Sequence, residues 1–171
     1  MELKSSVTVK QGTGNTSSAL ASTAAVRQRR AVSEVAQLVL FRGLPGAGKT
    51  TMAQVLKAIG YKHFEADMYF VVDGVYQFDP SRINDAHSWC KMNTRQALLI
   101  GERVVVSNTF TKRFEIQPYL EMGAESVQIV EANGKWQSIH DLSLEALRKM
   151  ESRWETLPPS IIGIKSPPSA R

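Results

Sequence analysis

The clearest chemical signal in this sequence is a run of eight residues, Gly43-Leu44-Pro45-Gly46-Ala47-Gly48-Lys49-Thr50, whose types and spacing suit a phosphate group. The glycines let successive backbone N–H groups point toward one anion. Lys49 adds a full positive charge toward the β- and γ-phosphates, and the Thr50 hydroxyl is a hard oxygen ligand suited to Mg²⁺. Thr51 is expected to reach the α-phosphate. The run matches G-x-x-x-x-G-K-[ST] at every fixed position, which predicts a nucleoside triphosphate site.

Phosphoryl transfer also needs a group that accepts the proton of the nucleophile, and carboxylates are the candidates. Asp67 follows a short apolar segment, at the edge of the predicted sheet where the run of residues 43–50, the phosphate loop, also lies. We therefore predict that Asp67 is the general base. The alternative is that Asp67 is only the N-cap of the turn after it. Asp73 is better explained by an Asp-Gly hairpin turn over residues 71–76. Glu65 is expected to alternate outward to the surface.

The third predicted strand lacks the acid that usually organises the metal. It ends in Ser107 and Asn108, which can hold a water on Mg²⁺ but add no negative charge. We therefore expect weak metal affinity until nucleotide supplies phosphate ligands. Thr109, Lys112 and Arg113 follow, at the start of a helix, where they are candidates to hold a phosphate on the acceptor. For each of these three the alternative is an N-cap or a solvated helix face.

Apolar segments alternate with helical patterns around these residues. The patterns predict strands near residues 37–41, 62–66, 104–106 and 127–130, and helices after the loop, after Asp79-Pro80 and after Ser143. In the first helix Met52, Val55, Leu56 and Ile59 fall on one face. The order predicts an α/β P-loop NTPase fold, a three-layer sandwich with a short parallel sheet of about four strands and helices on both faces.

Composition limits the folded region to residues 37–157. Residues 1–36 are basic, rich in Ser, Thr and Ala and free of aromatic residues, and residues 158–171 are rich in Pro, so both are predicted to be disordered or extended tails. The net charge of +5 belongs to these tails, because residues 37–157 are neutral. The N-terminal tail is therefore the candidate contact for nucleic acid. The longest apolar runs are too short for a membrane span, and the one cysteine fits an intracellular, cytoplasmic protein.

Several segments, taken in order, resemble the P-loop kinases of the polynucleotide 5′-hydroxyl-kinase type. They are the phosphate loop at 43–51, Phe64–Tyr69, Tyr76–Pro80, Ala86–Trp89 and Val104–Thr109. The resemblance covers about residues 38–157. It is closest to the small AAA-labelled ATP-binding branch of that group, which includes many short phage and bacterial proteins; for a phage protein the compartment would be the host cytoplasm.

The resemblance implies an ATP-dependent phosphotransferase. In that interpretation Lys49 and Thr50 bind Mg·ATP, and Asp67 activates a hydroxyl of the acceptor. Thr109 contacts the acceptor, and we add Tyr69 and Asn108 as candidate acceptor-binding residues. The acceptor is predicted to be the 5′-hydroxyl of a nucleic acid, a nucleoside or a small metabolite.

The sequence departs from the family pattern at three places. The family's Asp-Asn-Thr-Asn segment is Ser107-Asn108-Thr109-Phe110 here. Polynucleotide kinases carry an arginine in a lid after the fourth strand, whereas residues 131–147 here contain one basic residue, Lys135. Arg113, our candidate catalytic arginine, and Arg148 are left to replace it. Phe70 stands where the phage polynucleotide kinase has an arginine that binds the phosphate of the substrate. The alternative function is therefore an ATP-binding regulatory or adaptor protein with weak or no catalysis.

Overall fold

A parallel sheet of four strands forms the centre of the fold. The computed structural model describes residues 36–135 and 143–158. The strands are β1 (Leu38–Arg42), β2 (Lys62–Phe64), β5 (Val104–Asn108) and β6 (Val127–Glu131), and their spatial order is β2-β5-β1-β6. All three neighbouring pairs are parallel. Each predicted strand is present, with ends that differ by one or two residues.

Four α-helices and a small hairpin complete the described part of the chain. The helices are α1 (Lys49–Ala58), α2 (Ile83–Leu99), α3 (Arg113–Leu120) and α4 (Leu144–Ser152), with short 3₁₀ helices at Ala66–Phe70 and Pro80–Arg82. The hairpin pairs β3 (Val71–Val72) with β4 (Val75–Tyr76). Both predicted caps are confirmed, because the Asp79 carboxylate accepts from the Ser81 N–H and the Ser143 hydroxyl accepts from the Ala146 N–H. The predicted Asp-Gly turn is confirmed too, with positive φ at Asp73 and Gly74.

The core lies on both faces of the sheet. Successive side chains of a strand point to opposite faces. On one face Leu38 and Leu40 pack in a cluster with Cys90 of α2 and Tyr119 of α3. On the other face the alternate residues of β1 pack with Ala53 of α1. The layers are thus helix, sheet and helix, as the sequence predicted.

The buried face of α1 differs from the apolar pattern in its sequence. Met52, Val55 and Ile59 are 37%, 63% and 58% exposed, whereas Ala53 is fully buried and Leu56 is partly buried. The small Ala53 side chain lets the helix approach the sheet closely, which leaves the larger side chains at the surface. The periodicity therefore identified the helix but not the side that packs.

Arg42, the last residue of β1, is a charged side chain that the sequence analysis did not single out. It is fully buried, and its Nη1 lies 2.9 Å from the Glu131 carboxylate. Its Nε and Nη2 donate to the carbonyl oxygens of Phe110 and Glu155 at 3.2 and 2.9 Å. Its guanidinium lies 3.9 Å from the ring centroid of Trp154, a cation–π contact. These contacts attach the segment after α4 to the strand from which the phosphate loop begins.

Predictions for residues 1–35, for lid residues 136–142 and for residues 159–171 lie outside the described residues. Within the parts of the chain that are described, no helix has the length and apolar character needed to cross a membrane.

Candidate nucleotide and acceptor site

The phosphate loop links the end of β1 to the start of α1, and the structure explains why glycine is required at three of its positions. Gly46 and Gly48 have φ angles of 80° and 88°, in the left-handed region that residues with a Cβ rarely adopt. A Cβ on Gly43 would lie 2.7 Å from the Ala132 carbonyl oxygen, so only glycine fits there. The Gly43 N–H donates to the Thr109 carbonyl at 3.2 Å, which fixes the loop to the end of β5.

Lys49 is the cation of the loop. Its Nζ donates to the Leu44 carbonyl oxygen at 3.0 Å, so the ammonium is folded back over the loop. Burial lowers the pKa of Lys49, and the negative charges of Glu65 and Asp67 act in the opposite direction. Both carboxylates are therefore close enough to interact electrostatically with the loop cation.

Asp67 lies in the first turn of the 3₁₀ helix Ala66–Phe70, three residues after the end of β2. It is therefore at the carboxyl end of this strand, as predicted. The Ala66 N–H that begins this helix donates to Asn108 Oδ1 at 2.9 Å. The Asp67 carboxylate is half-buried and hydrogen-bonds the Tyr76 hydroxyl of the hairpin; burial and this carboxylate both raise the pKa of Tyr76. The structure thus brings the candidate base toward Lys49 and beside an aromatic hairpin.

Asn108 has contacts that we did not expect. Its side chain is buried, and besides accepting from Ala66 it donates to Cys90 Sγ at 3.6 Å. These contacts occupy the amide that we predicted to bind the acceptor. In this geometry Asn108 instead holds the turn that carries Asp67.

The three remaining candidates after β5 differ in placement. Lys112 is the N-cap residue of α3, and its backbone N–H donates to Glu115 Oε2 at 2.9 Å. Thr109 is half-buried at the end of β5, next to the start of the loop. Arg113 is exposed at the start of α3, and its guanidinium donates to the Thr156 carbonyl oxygen at 2.8 and 3.2 Å. The cation predicted to assist transfer is therefore engaged with the segment after α4.

Tyr69, our other acceptor candidate, lies in an aromatic cluster beside Asp67. Its ring packs edge-on against Phe70 at 5.4 Å between centroids. The Arg82 guanidinium lies 4.8 Å from the centroid of the Tyr69 ring and also contacts the Tyr69 hydroxyl. Arg82 is exposed and forms an ion pair with Asp85 at 3.4 Å, and the sequence analysis did not identify it.

Glu65 was expected at the surface, and that expectation is wrong. Its side chain is only 14% exposed, and its Oε1 lies 3.0 Å from His63 Nε2 and accepts from the Ser107 hydroxyl. Burial alone would raise the pKa of Glu65, but hydrogen bonds with His63, Ser107 and Thr50 outweigh it and the pKa lies below its ordinary value. The predicted strand ran to residue 66, whereas β2 ends at Phe64, so Glu65 directly follows the strand instead of alternating along it.

An open cleft of about 920 Å³ lies against the other side of the phosphate loop. Its walls come from the loop, from the segment after β6 and from α4, and they include Pro45, Ala132, Asn133, Leu147 and Trp154. The lining is partly apolar and partly polar.

Two solved kinases share this arrangement of sheet and helices. A sugar kinase from Janibacter sp. superposes with a TM-score of 0.56 and 19% identity, over 75% of this chain and 83% of that chain. A gluconokinase from Sinorhizobium meliloti 1021 superposes with a TM-score of 0.51 and 19% identity, over 69% of this chain and 74% of that chain. The fold is therefore the α/β fold of these two kinases, with a parallel sheet between helices, as predicted.

Among curated proteins, NEDD4-binding protein 2 of Homo sapiens is similar in sequence. The two are 28% identical over 133 residues, which is 69% of this chain and 8% of that protein. This chain thus spans less than a tenth of the length of that relative. No family model matches the chain. The resemblance to the polynucleotide 5′-hydroxyl-kinase type remains a prediction.

Proposed function

We propose that this protein is an ATP-dependent kinase that transfers the γ-phosphoryl group to a hydroxyl acceptor, with Asp67 as the general base. The observation that carries the proposal is geometric: the loop with Lys49 follows β1 and Asp67 follows β2, so both lie at the carboxyl edge of one parallel sheet. Transfer of this kind depends on positioning, charge neutralisation and one proton acceptor. The loop, Lys49 and Asp67 together offer these three functions.

The nucleotide would bind with its phosphates on the loop and its base and ribose in the cleft beside it. Backbone N–H groups at the start of α1 and the helix dipole favour the phosphate charge. The cleft of about 920 Å³ begins at Leu44 and Pro45 of the same loop, so one ligand can reach both parts.

The donors at the loop fit Mg²⁺. No group of three or more His, Cys, Asp or Glu side chains within residues 36–135 and 143–158 is arranged to hold a metal ion. Magnesium usually keeps several waters and binds through few protein ligands plus substrate phosphates, and a hydroxyl oxygen is a ligand of the kind it takes. Thr50 would be the direct protein ligand. When bound, the ion would neutralise charge on the β- and γ-phosphates.

The acceptor would meet Asp67 between the end of β5 and the aromatic hairpin. Thr109 lies at the β5 end, and Tyr69 with Arg82 lies on the hairpin side. An exposed guanidinium above an aromatic ring favours an acceptor that carries a negative group as well as a ring. A nucleic acid with a 5′-hydroxyl end meets that description, and so does a phosphorylated nucleoside or sugar.

A transfer assay tests the proposal. The full chain is incubated with γ-labelled ATP, Mg²⁺ and separate pools of 5′-hydroxyl DNA, 5′-hydroxyl RNA, nucleosides, and sugars with their acids. We expect label in one pool, dependent on both Mg²⁺ and Lys49. ATP binding with no label in any pool would instead support the ATP-binding regulatory or adaptor function. Absence of ATP binding would contradict both functions.

Replacing Lys49 by alanine tests the nucleotide site itself. Hydrogen bonds to charged groups contribute about 1.5–3 kcal/mol, so we expect ATP affinity to fall about 10- to 150-fold in titration calorimetry. Lys57→Ala, an exposed lysine in the last turn of the same helix, is the matched control and should bind ATP like the parent. Unchanged affinity in Lys49→Ala would exclude this loop as the phosphate site.

A further inference from the structure

We propose that Glu65 is the acid that organises Mg²⁺ at this site, in place of the carboxylate that β5 lacks. The inference rests on the proposed function, since it concerns the metal that accompanies the nucleotide. The acid that serves the metal would then follow β2, whereas the sequence pattern led us to expect it at the end of the neighbouring strand β5.

The sheet register places Glu65 beside the position of the missing acid. β2 pairs with β5 in parallel, and Phe64 is opposite Val106. The next residues, Glu65 and Ser107, therefore follow side by side at the carboxyl edge of the sheet. The Ser107 hydroxyl donates to Glu65 Oε1, which joins the two strand ends. A negative charge is thus present at this edge, displaced by one strand.

The carboxylate also contacts the metal ligand of the loop. Glu65 interacts with the Thr50 side chain at the start of α1, which lowers the pKa of Glu65, and its negative charge acts on Lys49. A hydroxyl has one proton and two lone pairs. If Thr50 donates its proton to Glu65, both lone pairs remain available for a cation. The carboxylate then orients the ligand and adds the negative charge that a divalent ion requires.

Glu65 is held in place by partners on two neighbouring strand ends. His63 Nε2 lies 3.0 Å from its Oε1, and the His63 side chain is almost completely buried. Burying a carboxylate is costly unless it is hydrogen-bonded, and here donors come from β2, β5 and α1. This network fixes the carboxylate between the loop and the end of β5, which is where an acid that serves the metal has to be.

The experiment measures magnesium binding without catalysis. Mg²⁺ is titrated into the full chain with substoichiometric ADP, and the half-saturating Mg²⁺ concentration is read by calorimetry. Loss of a group that orients a metal ligand costs about 10- to 100-fold in metal affinity, so we expect Glu65→Gln to raise the half-saturating Mg²⁺ concentration by this factor. ADP affinity in EDTA and the melting temperature should stay close to those of the parent. A parent-like Mg²⁺ titration in Glu65→Gln would overturn the proposal.

Two further variants complete the test. Glu102→Gln removes the same charge from a more exposed carboxylate that pairs with Lys62 at 3.4 Å, and it should titrate like the parent. The double variant, Glu65→Ser together with Ser107→Asp, moves the acid to β5. It should bind Mg²⁺ with an affinity within about tenfold of the parent. This variant also decides the question if Glu65→Gln does not fold. A double variant that folds but binds no Mg²⁺ in the presence of ADP would refute the proposal.

Failure of this inference can be told apart from failure of the proposed function. If the parent binds no nucleotide, or binds it without a magnesium effect, the proposed function fails. If the parent shows the effect and Glu65→Gln shows it equally, only the assignment of Glu65 fails.

Discussion

Asp67→Asn should reduce phosphoryl transfer by about 100- to 10,000-fold, the usual contribution of a positioned general base. The amide keeps the size and hydrogen-bonding capacity of the side chain, so the contact with Tyr76 can persist, but an amide cannot accept the proton of the acceptor hydroxyl. ATP affinity should be unchanged or slightly tighter, because one negative charge near the phosphates is removed. Single-turnover transfer from γ-labelled ATP measures the rate, and calorimetry measures the affinity.

Asp73→Asn is the matched control for this variant. Asp73 is an exposed hairpin residue six positions away, with a φ angle of 50° that asparagine tolerates well. It should keep the parental rate, because its carboxylate serves only the turn. A full transfer rate in Asp67→Asn would show that another group takes the proton, and our mechanism would then be wrong.

Arg42→Ala should destabilise the protein by about 3–5 kcal/mol, because it breaks a buried ion pair and leaves its partners unsatisfied. The variant loses the bond to Glu131 at 2.9 Å and the hydrogen bonds to two carbonyl groups. It also removes the contact with the Trp154 ring. Urea unfolding followed by tryptophan fluorescence and circular dichroism measures the change, and both signals should report one transition.

Arg95→Ala provides the comparison. Arg95 is exposed in the middle of α2, where alanine is a good helix former, so we expect a change within about 0.5 kcal/mol. If Arg42→Ala were as mild as Arg95→Ala, the buried guanidinium would not be what attaches the end of the described chain to β1.

The fold and half of the site were predictable because their signals are local. The phosphate loop is fixed by eight adjacent residues, and its glycine and lysine positions have backbone and charge requirements that any strand–loop–helix context preserves. The Asp-Gly turn and the caps at Asp79 and Ser143 are local for the same reason, and each is present. Asp67 could be predicted to lie near the loop because the carboxyl ends of parallel strands meet at the same edge of a sheet.

Sequence reasoning failed where a residue's environment comes from distant parts of the chain. Alternation along β2 pointed Glu65 outward, but its neighbours Ser107 and Thr50 come from β5 and α1. Asn108 looked like an acceptor ligand until packing brought the Ala66 N–H to its amide. The apolar stripe of α1 was real, but which side of that helix meets the sheet depends on how closely Ala53 can approach.

The sequence by itself determined that this chain has a P-loop in a parallel α/β sheet, because backbone conformation, capping and strand periodicity depend on neighbouring residues. Only the tertiary structure decided which polar side chains share the site. Strand order β2-β5-β1-β6 makes Glu65 and Ser107 neighbours although they lie far apart in the chain. It also places Arg42 inside the protein, against Glu131 and the segment after α4. Burial and pairing of charge depend on contacts between elements, and no window of sequence contains those contacts.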